Sequence, residues 1–189
     1  MAKKEVVDKY FDDAHEKFGK LLNEQGYDSE AENFQIQVLD VRSRSLGEEY
    51  LDTIRAMGSL AVTYKSLGKY ADAGKLEVEV LDMSNILLGE QHPNTITALG
   101  HLAATYVKLG KHADAERLAI KVVYLRNRYL GKEHPVTISA MGNLAATYGS
   151  LGKYADAEKL QGQVLDVMNR LFGEEHPDTI TAMGNLAFT

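Results

Sequence analysis

The sequence contains no cysteine and no tryptophan, and only three of its 189 residues are proline. The absence of cysteine excludes disulfides and thiolate-bound metal ions. Its apolar runs are a few residues long, far short of the roughly 20 residues needed to cross a bilayer, and the N-terminus lacks an apolar stretch of the signal-peptide type. These absences predict a cytoplasmic protein that does not bind membranes.

The charge balance argues against a nucleic-acid role. There are 21 lysines and arginines against 27 aspartates and glutamates, a formal net charge of -6, and the basic residues are dispersed among acidic ones. A surface that follows phosphates needs an excess of basic residues or a basic stripe. A hydrophobic content of 44% and a charged content of 25% are typical of globular chains.

The sequence repeats itself at one fixed length. A large apolar residue followed by glycine recurs every 42 residues, at 46–47, 88–89, 130–131 and 172–173. A fixed period is typical of stacked units that cannot bury an apolar face alone. We therefore predict a single array over 1–189, with units at about 4–45, 46–87, 88–129, 130–171 and 172–189.

The two terminal units differ from the others. The first, 4–45, is degenerate, and the charges of 3–13 would cover an outward face, as expected of an end cap. The last stops within a first helix, so we expect a fragment of a longer array. Its edge, with Met183, Leu186 and Phe188, would expose apolar surface and could mediate self-association.

Each period is predicted to hold two helices. In the third unit, apolar residues recur in three- and four-residue steps across 93–109, and a second periodic run spans 115–130. Gly110, between them, permits a left-handed turn that ends a helix. A His-Pro pair reopens the cycle at 92–93, 134–135 and 176–177, and proline is tolerated in the first turn of a helix.

The repeated residues resemble a known family. Leu144, Ala145 and Tyr148, followed by Gly152 and Tyr154, are similar to the signature of the tetratricopeptide repeat (TPR). The generic repeat has about 34 residues. The longer period and the Leu-Gly-x-x-His-Pro-x-Thr connector resemble the kinesin light chain subclass, and similar long repeats occur in sensor arrays of some NB-ARC-type ATPases. The resemblance is strong over 46–189 and weak over 4–45.

The resemblance implies a fold and a function. The fold would be all-α, a right-handed TPR superhelix, or α-solenoid, of antiparallel helix pairs. The function would be that of a non-enzymatic scaffold that presents a concave groove to a peptide or helix of an unidentified partner protein. The alternative is a structural spacer or a self-association module with no ligand in its groove.

In TPR arrays the first helices line the groove, and the resemblance assigns partner contacts to four sets of residues. Asn143 and its periodic equivalents could pair with the backbone of an extended peptide, or could bond within the array, and both interpretations stay open. The four predicted sets are Arg55, Ser59, Val62 and Lys65; Thr97, His101, Ala104 and Lys108; Ser139, Asn143, Ala146 and Ser150; and Asn185 and Phe188.

Glycine recurs in the middle of the predicted first helices, at Gly58, Gly100, Gly142 and Gly184. Glycine costs about 0.5–1 kcal/mol relative to alanine in a helix, so something should offset it. We expect close contact between adjacent first helices, and the alternative is room for a partner inserted deep in the groove.

No pattern in the sequence predicts catalysis, a metal site or a cofactor. His92, His134 and His176 stand at helix starts, where an imidazole can cap an amide or pack in the connector. Neighbouring repeats are about two helix diameters of ~10 Å apart, so these histidines should not share one ion. No serine, histidine and aspartate trio recurs in plausible proximity.

Overall fold

The computed structural model describes residues 14–45, 47 and 51–187. All regular structure in these residues is helical, and they contain no strand. Contacts divide the chain into two compact units, Met1–Glu90 and Gln91–Thr189. The charged segment 3–13 of the predicted end cap lies outside the described residues.

The N-terminal unit contains four described helices. Helix α1 comprises helical residues 14–24, and it is followed by α2 (Asp28–Ser45), α3 (Leu51–Ser66) and α4 (Tyr70–Leu88). Helix α3 packs against both α2 and α4. Its buried face supplies Ile54, Met57, Leu60 and Ala61, which follow the three- and four-residue steps of an amphipathic helix.

The C-terminal unit contains five helices. They are α5 (Pro93–Lys108), α6 (His112–Leu130), α7 (Pro135–Ser150), α8 (Tyr154–Phe172) and α9 (Pro177–Ala187). Successive helices pack against each other, and α5 also touches α7. The prediction of an all-α fold built from helix pairs is confirmed, and the observed bounds of α5 lie within one residue of the predicted range 93–109.

The turn between the helices of a pair depends on a left-handed glycine. At the end of α5, Gly110 has a φ of 69°. Its N–H donates to Val107 O at 3.1 Å, and the Lys111 N–H donates to Tyr106 O at 2.9 Å. These bonds satisfy carbonyls that the end of the helix would leave unpaired. The short connection turns the chain back, so α5 and α6 are antiparallel.

Second helices of successive repeats are joined by matched ion pairs within each unit. In the C-terminal unit Lys153 Nζ lies 2.7 Å from Glu116 Oε1, and in the N-terminal unit Lys69 Nζ lies 2.6 Å from Glu32 Oε1. The hydrogen bond to Glu116 raises the pKa of Lys153. Because the lysines are exposed, solvent screens each pair, and we expect it to contribute little to the stability of its unit.

Candidate functional site

The helices α5 and α7 begin with the same histidine cap. His92 Nδ1 accepts a hydrogen bond from the Asn94 N–H, and His134 Nδ1 accepts one from the Val136 N–H, each at 3.2 Å. A proline follows each histidine at the first position of the helix. The histidines thus satisfy helix amides, as the capping interpretation predicts. Within the described residues, no three histidine, aspartate or glutamate side chains are grouped to hold a metal ion.

A cavity of about 370 Å³ lies between α5 and α7, in the C-terminal unit. We call this cavity the α5–α7 groove. Helix α6 supplies its floor, because three of the lining residues lie on that helix. The lining consists of Thr97, Gly100, His101, Ala103, Ala104, Val107 and Lys108 from α5, Ala119, Val122 and Arg126 from α6, and Ala140, Asn143, Ala146, Thr147 and Ser150 from α7.

Half of the predicted partner-contacting residues meet in this groove. Their role in binding stays a prediction, but two predicted sets, from different repeats, line one cavity. His101 and Asn143, which occupy the same repeat position, face the groove from its two walls. The predicted residues in the lining are Thr97, His101, Ala104, Lys108, Asn143, Ala146 and Ser150.

Two other predicted residues of the C-terminal unit, Ser139 and Asn185, do not line the groove. The Ser139 hydroxyl donates to Pro135 O at 3.0 Å, within its own helix. Asn185 is exposed on α9. Phe188 lies outside the described residues.

The predicted residues of the N-terminal unit lie on α3. Two of them form ion pairs: Arg55 Nη1 is 2.9 Å from Asp52 Oδ1, and Lys65 Nζ is 2.8 Å from Glu77 Oε1. Lys65 is therefore already engaged within its unit. The other two are Val62, which is exposed, and Ser59, which lines a cavity of only about 10 Å³.

The sequence reasoning missed the contribution of α6, above all Arg126. Arg126 Nη1 donates to Val136 O at 3.2 Å, which holds the guanidinium against the start of α7. Burial lowers the pKa of Arg126, although a guanidinium stays charged in proteins. A signal was available, because Arg42 stands two periods earlier and donates in the same way to Asp52 O at 2.9 Å.

The groove is cationic although the protein is acidic. None of its lining residues is aspartate or glutamate, while Lys108 and Arg126 both carry positive charge. The chain as a whole has a formal net charge of -6. Helix α6 also contributes the apolar residues Ala119 and Val122 to the floor. Such a surface favours an anionic group next to an apolar one.

The mid-helix glycines do not mark close helix contact. A Cβ built at Gly100, which lines the groove, would meet no atom within 4 Å beyond its own helix. The same is true at Gly58, Gly142 and Gly184. The expectation that close contact between first helices offsets the cost of glycine is therefore wrong. The open space at Gly100 deepens the groove instead.

Comparison with known proteins identifies the repeat. A family model described as "Tetratricopeptide repeat" matches residues 12–85, 95–170 and 143–189, which together span most of the chain. The chain belongs to the tetratricopeptide repeat family. The predicted family is thus confirmed, and proteins of this family generally act as non-enzymatic interaction scaffolds. No curated protein matches the chain.

Solved structures with kinesin light chain-like repeats have the same fold as this TPR chain. A candidate kinesin light chain of Podosopora anserina with nearly identical TPR-like repeats has a TM-score of 0.84 at 24% identity, covering 93% of this chain and 83% of that one. A variant of the same protein has a TM-score of 0.85 at 24% identity, covering 93% of this chain and 82% of that one. BtubC (BKLC) from P. vanneervenii has a TM-score of 0.77 at 21% identity, covering 90% of this chain and 68% of that one. Among the described residues of this TPR chain, no helix could span a membrane.

Proposed function

We propose that this chain is a non-enzymatic scaffold whose α5–α7 groove binds a peptide segment of a partner protein. The observation that carries the proposal is the cavity of about 370 Å³ lined by predicted contact residues from two repeats. That volume suits one or two side chains of a ligand rather than a whole domain. A cytoplasmic location and the absence of nucleic-acid binding stay predictions.

The chemistry of the groove favours an acidic peptide with an apolar anchor. A carboxylate can approach Lys108 at the rim and Arg126 deeper inside, where partial burial strengthens its electrostatic interactions. An apolar side chain can cover Ala119 and Val122 on the floor. His101 and Asn143 lie on opposite walls, where imidazole and amide groups can bond the backbone of the peptide.

The test is selection from a display library of short peptides, followed by calorimetric titration of an enriched peptide. We expect enrichment of aspartate and glutamate, with binding that weakens as salt is added. Lys108→Gln should weaken binding about threefold, since exposed ion pairs contribute little, and Arg126→Gln about tenfold. Chemical shifts on binding should change at the groove residues.

Lys159→Gln is the matched control for Lys108→Gln. Lys159 is exposed on α8 and is absent from the groove lining, and its substitution removes the same charge. It should leave peptide affinity unchanged. Equal losses from both lysine variants, or a selection without acidic enrichment, would contradict groove binding.

Self-association through the edge of α9 is the second candidate function. Ile180 and Met183 are 56% and 37% exposed, whereas the equivalent Ile138 and Met141 of α7 are 1% and 3% exposed. In α7 this face packs with Val164 and Val167 of α8. The apolar face of α9 could therefore pair with a second copy of the chain.

Sedimentation at increasing protein concentration distinguishes the two candidate functions. Saturable association that Ile180→Glu abolishes, together with a groove that selects no peptide, would favour the module without a groove ligand. A strict monomer at high concentration would exclude association through α9.

A further inference from the structure

The α5–α7 groove has a filled counterpart in the N-terminal unit. This counterpart is the cavity lined by Ser59, which measures about 10 Å³, whereas the groove measures about 370 Å³. Six of the seven residues around the counterpart stand two 42-residue periods before a residue that lines the groove. The same wall and floor positions therefore form both cavities. The six residues are Glu16, Gln35, Val38, Arg42, Ala56 and Ser59.

Two substitutions between the repeats account for the difference in volume. Glu16 stands at the position of Gly100, and Gln35 stands at the position of Ala119. The side chains at the other four positions are identical in the two units or, at Asn143, larger in the groove. A Cβ at Gly100 would meet no atom within 4 Å beyond its own helix. The open part of the groove is therefore the space that the side chains of Glu16 and Gln35 fill in the counterpart.

In the counterpart, the carboxylate of Glu16 binds the arginine on the floor. Arg42 Nη1 lies 3.5 Å from Glu16 Oε2 and donates to the Asp52 carbonyl oxygen at 2.9 Å. Burial raises the pKa of the Glu16 carboxyl, but a hydrogen bond from Lys20 and the charges of three nearby cations lower it by more. The net pKa lies below its ordinary value, so this largely buried carboxylate is charged at neutral pH.

Arg126 has the same placement in the groove but no such carboxylate. It donates to the Val136 carbonyl oxygen at 3.2 Å, as Arg42 does to the equivalent carbonyl of Asp52. No aspartate or glutamate lines the groove, and burial lowers the pKa of Arg126. A carboxylate beside the guanidinium would act in the opposite direction, because it favours the charged form. The place that Glu16 takes in the counterpart is left open by Gly100.

We propose that Gly100 and Arg126 form a glutamate subsite, filled by a glutamate side chain of the partner peptide as Glu16 fills the counterpart. A peptide lies above the floor, so the longer side chain of glutamate reaches Arg126 better than that of aspartate. Lys20 holds the other oxygen of Glu16 at 3.0 Å, but its equivalent in the groove is Ala104. With one cation fewer, the subsite should be only modestly selective. The peptide as the source of the carboxylate rests on the proposed function, whereas the pairing with Arg126 does not.

Two isomeric ligands test the subsite on the full chain. N-acetylglutamate α-amide carries its carboxylate on the side chain and N-acetylglutamine carries it at the C-terminus, so the two have the same composition and charge. At constant ionic strength the first should bind about fivefold more tightly, with chemical-shift changes at the Gly100 N–H and the Arg126 guanidinium. Arg126→Gln should remove this preference, and Lys159→Gln should keep it. Equal binding of the isomers, or a preference for N-acetylglutamine, would overturn the proposal.

Grafting a carboxylate onto α5 tests the pairing without any ligand. Gly100→Glu places the carboxylate at the position of Glu16, and Gly100→Gln is a neutral control of nearly the same size. In urea unfolding, the folding equilibrium constant of Gly100→Glu should be about fivefold above that of Gly100→Gln. Adding Arg126→Gln to both variants should abolish the difference. Equal stabilities in the wild-type background would overturn the subsite, and this comparison remains available if Arg126→Gln fails to fold.

Failure of the subsite and failure of groove binding give different results. If peptides bind the groove with no preference for glutamate over glutamine, the subsite is wrong and the proposed function stands. If no peptide is selected but N-acetylglutamate α-amide still binds beside Arg126, the subsite stands and the proposed function is wrong.

Discussion

The second helices of the N-terminal and C-terminal units bury different kinds of side chain. In the N-terminal unit α2 and α4 bury Gln35, Arg42 and Glu77. In the C-terminal unit the buried side chains of α6 and α8 are all apolar: Ala115, Ala119, Val122, Leu125, Ala157, Val164 and Val167. The first helices hardly differ, since each unit buries isoleucine, leucine and alanine at equivalent positions of α3, α5 and α7.

The buried polar groups of the N-terminal unit hold its helices together. Lys65 Nζ on α3 lies 2.8 Å from Glu77 Oε1 on α4, and the Thr63 hydroxyl donates to Gln35 Oε1 on α2 at 2.6 Å. The C-terminal unit has Val107 and Ala119 where the N-terminal unit has Lys65 and Glu77. Both of these apolar residues line the α5–α7 groove.

The comparison shows that one repeat frame serves two purposes. Positions shared by all repeats define the helices and the packing between them. Variable positions on α4 and α6 decide whether a polar side chain is used for internal bonding or the surface stays open to a ligand. Substitutions at shared positions should therefore have similar effects in both units, whereas substitutions at variable positions should not.

The largest effect is expected where the two units differ. Lys65→Val gives the N-terminal unit the residue found at Val107 and leaves Glu77, only 4% exposed, without its cation. We expect a loss of about 2–3 kcal/mol in the free energy of unfolding, because an uncompensated buried charge is strongly destabilising. Urea unfolding at neutral pH measures the loss.

The double variant Lys65→Val/Glu77→Ala is the control for this loss. It reproduces the pair Val107 and Ala119 of the C-terminal unit, so it should recover stability to within about 1 kcal/mol of the wild type. The double-mutant cycle should give a coupling of about 2 kcal/mol. Additive effects of the two substitutions would show that the ion pair is not what distinguishes the units.

The sequence predicts the shared positions well and the variable ones poorly. The bounds of α5 were predictable because Pro93 and Gly110 act through local backbone geometry. The residues of α5 and α7 expected to line the groove were named from the resemblance to TPR arrays, in which first helices line the groove, and seven of them line this cavity. Arg126 was missed because its place in the groove depends on how α6 packs against α7. The role of the mid-helix glycines was misjudged because a repeat fixes their spacing but not the distance between helices.

A smaller effect, equal in both units, is expected at the left-handed glycines. Gly68 and Gly110 have φ values of 72° and 69°, and a Cβ on either would meet no atom within 4 Å. Alanine at either position is therefore strained by the backbone alone. We expect each substitution to cost about 1–2 kcal/mol, measured by urea unfolding. A loss of stability on substitution in only one unit would show that the two left-handed glycines do not have the same role in both units.

The smallest effect should be a gain in stability. Gly58→Ala in α3 and Gly142→Ala in α7 replace mid-helix glycines whose added Cβ would meet no atom within 4 Å beyond the helix itself. Alanine restricts the unfolded chain and has the higher helix propensity, so each substitution should raise the free energy of unfolding by about 0.5–1 kcal/mol. Thermal and urea unfolding of the two variants provide the measurement.

Because Gly142 does not line the α5–α7 groove, its substitution should also leave peptide affinity unchanged. Gly100 does line the groove, so Gly100→Ala should weaken binding while giving the same gain in stability. A loss of stability at Gly142 would mean that neighbouring helices approach this position more closely than the open space around it indicates.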